Sequence, residues 1–244
     1  MRYYTWQTAG SEQESSLREA AEQDLSVAVD LDPSRALAWV MLSDIYRVGG
    51  RFGEARAAAA RALEADAFLR EAQNVLFQLC NMAWEIEDLE EAIPCWKEYR
   101  RRFPKSPAWA NADLMLLASS VGPEPDAEEA WRLYETLEEN LSEQDWVLLK
   151  QNLEMTVAGV LARAGLADSA YAVIRRARAQ LEAGAPWPLY FEANVRLHLG
   201  EKDLAIQLLR EFLEELPDRK AYIASDWWWR PLRDDPRFQA LVAE

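Results

Sequence analysis

The stretch that decides the fold is a pair of segments, Trp39-Val-Met-Leu-Ser-Asp-Ile-Tyr46 and Ala55-Arg-Ala-Ala-Ala-Ala-Arg-Ala62. The first segment places two rings, a leucine and the small Ser43 at helical spacing. The second carries alanine every three or four residues, so that one side of the predicted helix is lined by small side chains. The glycine-rich stretch Arg47–Gly53 between them is typical of a tight turn. Because small residues let two backbones approach closely, these segments predict a hairpin of two packed helices.

An alanine in the same position of the predicted second helix recurs along the whole chain. The intervals between these alanines are 34, 37, 38, 40 and 35 residues, close to the ~34-residue period of helical-hairpin repeats. The positions are Ala21, Ala55, Ala92, Ala130, Ala170 and Ala205. Turn and cap signals separate the helical segments. We therefore predict an all-α protein, an α-solenoid of about six stacked hairpins with a short helix at its C-terminal end.

The predicted array covers residues 1–244 as a single solenoid. Residues 1–35 contain an incomplete first repeat, residues 36–219 contain repeats two to six, and residues 220–244 form a tryptophan-rich C-terminal cap. Tyr3, Tyr4 and Trp6 are unusual at a chain end, because terminal repeats normally present a polar outer face. Either these rings fold back onto the next repeat, or the chain was cut from a longer protein.

The tail contains three consecutive tryptophans, Trp227, Trp228 and Trp229. If this segment is extended or helical, the three rings cannot all point inward, so we expect at least one of them to be exposed or partly exposed. A lid over the open end of the array is the simpler role for these rings. An exposed aromatic binding patch is the alternative.

Acidic residues outnumber basic residues by 42 to 27, which gives a formal net charge of −15. Nucleic acids and anionic membranes both require a basic face, so we expect neither as a partner. A neutral or basic protein partner is compatible with this charge, although acidic residues that keep helix faces hydrated are the simpler explanation for it. No apolar run reaches the ~18 residues typical of a membrane span, and residues 1–8 lack the apolar core of a signal peptide. We therefore expect a cytoplasmic protein.

Cys80 and Cys95 are the only cysteines. They fall on the two successive helices of one predicted repeat, where small or apolar residues are typical. Because thiols stay reduced in the cytoplasm, we expect two buried free thiols rather than a disulfide.

No set of residues in the sequence predicts catalysis, a cofactor or a metal site. The single histidine, His198, excludes a repeated Ser-His-Asp arrangement and any histidine-rich metal site. The glycines of Arg47–Gly53 follow no predicted strand and precede no Lys-Ser/Thr pair, which argues against a phosphate-binding loop. Adjacent carboxylates such as Glu90-Glu91 belong to solvated helix faces. We expect no enzyme.

From about Ser16 to Leu216 the chain resembles the tetratricopeptide repeat family, through the residues quoted above. The segment Ala28–Trp39 and the ending Pro231–Phe238 are similar, more narrowly, to repeat regions attached to bacterial serine/threonine kinases, nucleotide cyclases and winged-helix regulators. This resemblance implies a right-handed superhelix in which the first helix of each hairpin lines the concave face. The sequence contains no kinase, cyclase or DNA-binding segment, so none of those activities is implied.

The resemblance also implies where a peptide binds. By repeat phase, the concave positions are Arg47, Phe77, Asn81, Trp84, Asn152, Met155, Arg163, Tyr190, Asn194 and His198. Asn81 and Asn194 occupy the ninth position of their repeats, where family members use asparagine to hold a peptide backbone. An amide suits that role because it donates and accepts hydrogen bonds at once. The Lys/Asn/Arg set of the family's carboxylate clamp is absent, so we do not expect chaperone tails as ligands.

Two hypotheses about function follow. The first is a non-catalytic protein–protein interaction module that binds a polypeptide in the concave groove, in bacterial signalling or complex assembly. The alternative is a regulatory or sensory domain, cut from a larger kinase or transcription regulator, that recognises a small molecule. Self-association through the end repeats stays open in both. An extended peptide requires a continuous path of asparagine and aromatic positions, whereas a metabolite requires an enclosed pocket.

Overall fold

The computed structural model of the protein describes residues 14–49, 51–66, 70–85, 88–180 and 186–243. These residues form helices, turns and irregular segments, and no strand occurs among them, which confirms the prediction of an all-α protein. The chain divides into two compact units. Unit 1 comprises residues 1–104 and unit 2 comprises residues 105–244.

Unit 1 consists of five described helices, each in contact with the next along the chain. They are α1 (Glu14–Leu31), α2 (Ala36–Val48), α3 (Phe52–Ala65), α4 (Ala72–Glu85) and α5 (Leu89–Arg102). Helices α2 and α3 form the second predicted hairpin, and α4 and α5 form the third. Helix α1 corresponds to the second helix of the incomplete first repeat. The rings predicted to precede it, Tyr3, Tyr4 and Trp6, lie outside the described residues.

The hairpin of α2 and α3 packs through the small residues that predicted it. Ala55, Ala59 and Ala62 are fully buried and form one cluster with Val75 of α4. The hydroxyl of Ser43 on α2 donates to the backbone carbonyl of Ala55 on α3 at 2.8 Å. A hydrogen bond from a short side chain to the facing backbone requires that the two helices lie close together, as the sequence predicted.

Unit 2 begins with six helices, again arranged as hairpins. They are α6 (Ala108–Ala118), α7 (Ala127–Asn140), α8 (Glu143–Arg163), α9 (Ala167–Arg178), α10 (Trp187–His198) and α11 (Lys202–Glu215). The first helices of successive hairpins touch directly, α6 with α8 and α8 with α10. These direct contacts decide which predicted site residues in unit 2 are accessible.

Local cap signals set several of these helix ends. The Asp126 carboxylate accepts from the backbone N–H of Glu129 at 3.0 Å, and the Ser142 hydroxyl accepts from the backbone N–H of Asp145 at 3.1 Å. Each bond satisfies one of the free amides at a helix N-terminus. At the other end of α8, Gly165 adopts a φ of +74°, a conformation that favours glycine. Residues next to each helix end therefore set both of these starts and this stop.

The C-terminal part of unit 2 is a series of short helical turns. A 3-10 turn at Pro217–Arg219 leads into α12 (Lys220–Ser225), and a second at Trp227–Leu232 leads into α13 (Pro236–Val242). The Asp235 carboxylate caps α13 by accepting from the backbone N–H of Arg237 at 2.9 Å. Helix α13 contacts α11 and α12. The predicted short C-terminal helix is therefore present and packs back onto its own unit.

The expectation that at least one ring of the triple tryptophan is exposed or partly exposed is wrong. Trp227, Trp228 and Trp229 are only 4%, 1% and 0% exposed. In a 3-10 turn, successive side chains point about 120° apart, so three neighbouring rings reach into different parts of the core. The Trp228 ring stacks on Tyr190 of α10 at a centroid distance of 5.6 Å, and Trp229 meets the same ring edge-on at 5.3 Å. The three rings belong to the interior of unit 2.

The expectation of two free thiols is also wrong, because a disulfide joins Cys80 on α4 to Cys95 on α5. The hairpin brings their Cα atoms to 5.3 Å, within the range that a disulfide spans. Helical periodicity placed each cysteine on a packing side but did not show that the two face each other. The facing register is a property of the folded hairpin.

Candidate functional site

The four predicted site residues of unit 1 are accessible. Phe77, Asn81 and Trp84 lie on α4, where Phe77 is 37% exposed and the other two are half-buried. Their spacing of four and three residues places them on one side of the helix. Arg47 lies on α2, half-buried, and forms an ion pair with Asp44 at 2.7 Å. Three of the predicted residues are thus neighbours on a single helix.

We call the accessible side of this helix the α4 face. It consists of Gln73, Asn74, Phe77, Gln78, Asn81 and Trp84, all exposed or half-buried. At ~100° per residue these six positions span an arc of about 140°. Every member is an amide or an aromatic residue, and residues 72–84 contain no charged side chain. In a chain with 28% charged residues, an accessible helix face without charge is distinctive.

Contacts with α5 hold one edge of the α4 face in place. The Phe77 ring meets Trp96 edge-on at 5.7 Å and Tyr99 at 6.3 Å. The Gln73 side-chain amide donates to the Tyr99 hydroxyl at 3.3 Å. By contrast, the hydrogen bonds within the described part of the chain include none from the side chains of Asn74, Gln78 and Asn81. The donors and acceptors of these three amides are therefore available to a partner.

Three predicted site residues of unit 2 are buried instead of lining a groove. Met155, Tyr190 and Asn194 are at most 1% exposed. Tyr190 is covered by Trp228 and Trp229 of the tail, and Asn194 of α10 lies directly against α8. The approach is so close that a Cβ atom added at Gly159 on α8 would lie 2.9 Å from Asn194 Oδ1. Neither polar atom of the Asn194 amide has a hydrogen-bond partner among the described residues. Asn81 and Asn194 share a repeat position but not an environment.

Arg163 and His198 both bind the C-terminal end of α6. Arg163 donates to the backbone carbonyl of Leu117 and to that of Pro123 at 3.0 Å. The Nε2 atom of His198 lies 2.8 Å from the backbone carbonyl of Ala118. Burial lowers the pKa of His198 to about 4, so the ring is neutral at pH 7 and donates through Nε2–H. These side chains satisfy free helix-end carbonyls, a structural role that repeat phase did not reveal.

Asn152, the last predicted residue, lies half-buried on α8. Its backbone carbonyl accepts from the hydroxyl of Thr156 at 2.8 Å, which is an ordinary bond within one helix. The four predicted residues of unit 1 are thus all exposed or half-buried, whereas three of the six in unit 2 are buried and two others bind helix-end carbonyls.

Sequence reasoning missed two kinds of residue. The first comprises the other amide side chains of the α4 face, Gln73, Asn74 and Gln78. The sequence signal for this face was the absence of charged residues from 72 to 84. The second is a set of ion pairs around the buried Glu192 in unit 2, which pairs with Arg178 at 2.6 Å and with Arg196 at 2.8 Å. Only the spacing of Glu192 and Arg196, four residues apart, was visible in the sequence.

The described residues give no structural support for a metal site or for a membrane-spanning helix. No group of three or more His, Cys, Asp or Glu side chains among them could hold a metal ion. In the same part of the chain, no helix has the length and apolar character needed to cross a membrane.

Neither a protein-family model nor a curated protein matches the chain. Among solved structures, the chain is similar to the crystal structure of yeast Tom70, with 18% sequence identity and a TM-score of 0.48. The match covers 98% of this chain and 49% of that one, so the chain spans about half the length of the solved protein. The class that the fold defines is an all-α protein built of helical hairpins.

Proposed function

We propose that the chain is a non-catalytic protein-interaction module whose α4 face binds an extended segment of a polypeptide partner. One observation supports this above all others: the α4 face presents unpaired amides between two aromatic side chains and carries no charge. Amides match the alternating donors and acceptors of a peptide backbone. Aromatic side chains are the common anchors of protein interfaces.

The dimensions of the face suit a short peptide. Phe77 and Trp84 are seven residues apart, which is about 10 Å along a helix axis. An extended peptide advances about 3.3 Å per residue, so the two rings would contact partner side chains roughly three residues apart. Asn81 lies between them and would hold the intervening backbone. The whole face would contact about five partner residues.

The chemistry of the face also defines the partner. A segment bound through amides and rings has uncharged or aromatic side chains, and its affinity depends little on salt because no exposed ion pair forms. The narrower resemblance to repeat regions of bacterial regulators favours a role in bacterial signalling or complex assembly in the cytoplasm. The rest of the acidic surface would then keep the module soluble and would not select the partner.

Selection from a displayed library of random peptides tests this proposal, because it requires no assumption about the identity of the partner. We expect the wild-type chain to enrich extended, uncharged sequences with apolar residues. Asn81→Ala should weaken binding of an enriched peptide about 5- to 100-fold, from the ~1–3 kcal/mol that a lost partner of a buried amide costs. Phe77→Ala should weaken it about 30-fold or more, from the ~2 kcal/mol or more that truncation of an aromatic hot spot costs.

The control is Asn111→Ala, which removes an exposed amide of α6 in unit 2. This variant should bind the same peptide as tightly as the wild type, and circular dichroism should show that all three variants are folded. Enriched peptides that are highly charged, or that bind the folded Asn81→Ala and Phe77→Ala variants with full affinity, would overturn the proposal.

A further inference from the structure

The disulfide lies at the base of the α4 face. Cys80 precedes Asn81 directly and is fully buried. Cys95 is half-buried and lines an open hollow of about 630 Å³ together with the apolar Leu76, Leu79 and Pro94. A thiol from solvent can therefore approach the disulfide from the Cys95 side.

The rim of this hollow is acidic. Asp88, Glu90, Glu91 and Glu98 line it together with Cys95. Arg56 pairs with Asp88 and Glu91, and Arg101 pairs with Glu98 at 2.6 Å. Arg102 also acts on Glu98, from further away. Four carboxylates against three guanidinium groups still leave an excess of negative charge around the entrance, which opposes the approach of an anionic reagent.

We infer that Cys80–Cys95 is a reducible site that reacts preferentially with cationic or neutral thiols, and that its reduction loosens the α4 face from α5. The thiolate of the reductant attacks the Cys95 sulfur, the S–S bond breaks, and the Cys80 sulfur leaves as a thiolate and takes up a proton. A second reductant thiol then attacks the mixed disulfide and releases Cys95. The reductant supplies two electrons and ends as its own disulfide.

Reduction of the disulfide should affect the α4 face because of the contacts that join α4 to α5. Phe77 and Gln73 of this face rest on Trp96 and Tyr99 of α5, and the disulfide is the covalent link beside them. After reduction only the non-covalent contacts keep α4 in position. In the cytoplasmic location proposed above, a disulfide is typically transient or redox-sensing, which fits a face whose order depends on it. The consequence for peptide binding rests on the proposed function, whereas the reduction chemistry does not.

Three small thiols of different charge test the preference: cysteamine, 2-mercaptoethanol and 2-mercaptoethanesulfonate, compared at equal thiolate concentration. We expect reduction to be fastest with the cation and slowest with the sulfonate, on the order of tenfold apart at low salt. The difference should nearly vanish in 1 M NaCl, where charges are screened within about 3 Å. Glu90→Gln should reduce the difference in reduction rate between the cationic and the anionic thiol. Glu128→Gln, which removes an exposed carboxylate of unit 2, should leave that difference unchanged. Equal rates, or a faster sulfonate, would overturn the preference.

Amide hydrogen exchange of residues 72–102 tests the loosening. We expect faster exchange in the reduced wild type than in the oxidised one, and equal, fast exchange in the Cys80→Ala/Cys95→Ala variant with and without reductant. Exchange that does not change on reduction would overturn the coupling. If exchange accelerates but no displayed peptide binds either form, the proposed function is wrong while the reducible site stands.

Discussion

Replacing Ala55 by leucine is the sharpest test of the hairpin that defines this protein. Ala55 is fully buried, and its carbonyl accepts the Ser43 hydroxyl at 2.8 Å across the junction of α2 and α3. A leucine adds three carbon atoms where the two backbones are held together by that bond. The helices must separate or the side chain must adopt a strained rotamer, and such overpacking costs about 1–3 kcal/mol.

The helix propensities of alanine and leucine are nearly equal, so this cost arises from packing. For a unit of about 100 residues, each kcal/mol lowers the melting temperature by roughly 4–8 °C. The free energy of unfolding is measured by urea titration followed by circular dichroism at 222 nm. The matched control is Ala57→Leu, the same substitution at an exposed position two residues further along α3.

We expect Ala57→Leu to change the free energy of unfolding by less than about 0.5 kcal/mol, as is usual for surface substitutions. Equal destabilisation by the two substitutions would show that the cost does not come from the junction of α2 and α3. A fully stable Ala55→Leu would refute the close approach itself, together with the repeat register built on Ala55.

Two further predictions concern unit 2. The pKa of His198 is lowered to about 4 in the folded chain, against ~6.5 in an unfolded one. The unfolded state therefore binds the proton more readily. As the pH falls from about 6.5 to 4, the free energy of unfolding should decrease by up to ~3 kcal/mol. Urea titrations at pH 7, 5 and 4 should show this loss in the wild type and a smaller one in His198→Gln, and parallel profiles would exclude His198 as the cause. Deleting residues 226–244 removes the rings that stack on Tyr190, so we expect a lower melting temperature and self-association through the exposed surface. A truncated chain that melts unchanged and stays monodisperse in light scattering would show that the tail does not cover that surface.

The accessible part of the candidate site could be predicted because it depends on one helix. Phe77, Asn81 and Trp84 follow helical spacing, and helical spacing alone places them on one side. The interior part could not be predicted in the same way. Asn194 occupies the same repeat position as Asn81, yet it is buried because α10 lies against Gly159 of α8, more than thirty residues away in sequence.

The sequence by itself determined the helices, their pairing into hairpins and several of their ends, because these depend on residues three or four apart. The pattern of small and large side chains is set within one or two helical turns, and so is a cap such as Asp126. Only the tertiary structure decided which helix faces stay open, that Cys80 faces Cys95, and that the three tryptophans are buried. Exposure and pairing depend on contacts between distant segments, and a local pattern carries no information about which distant segment will be the neighbour.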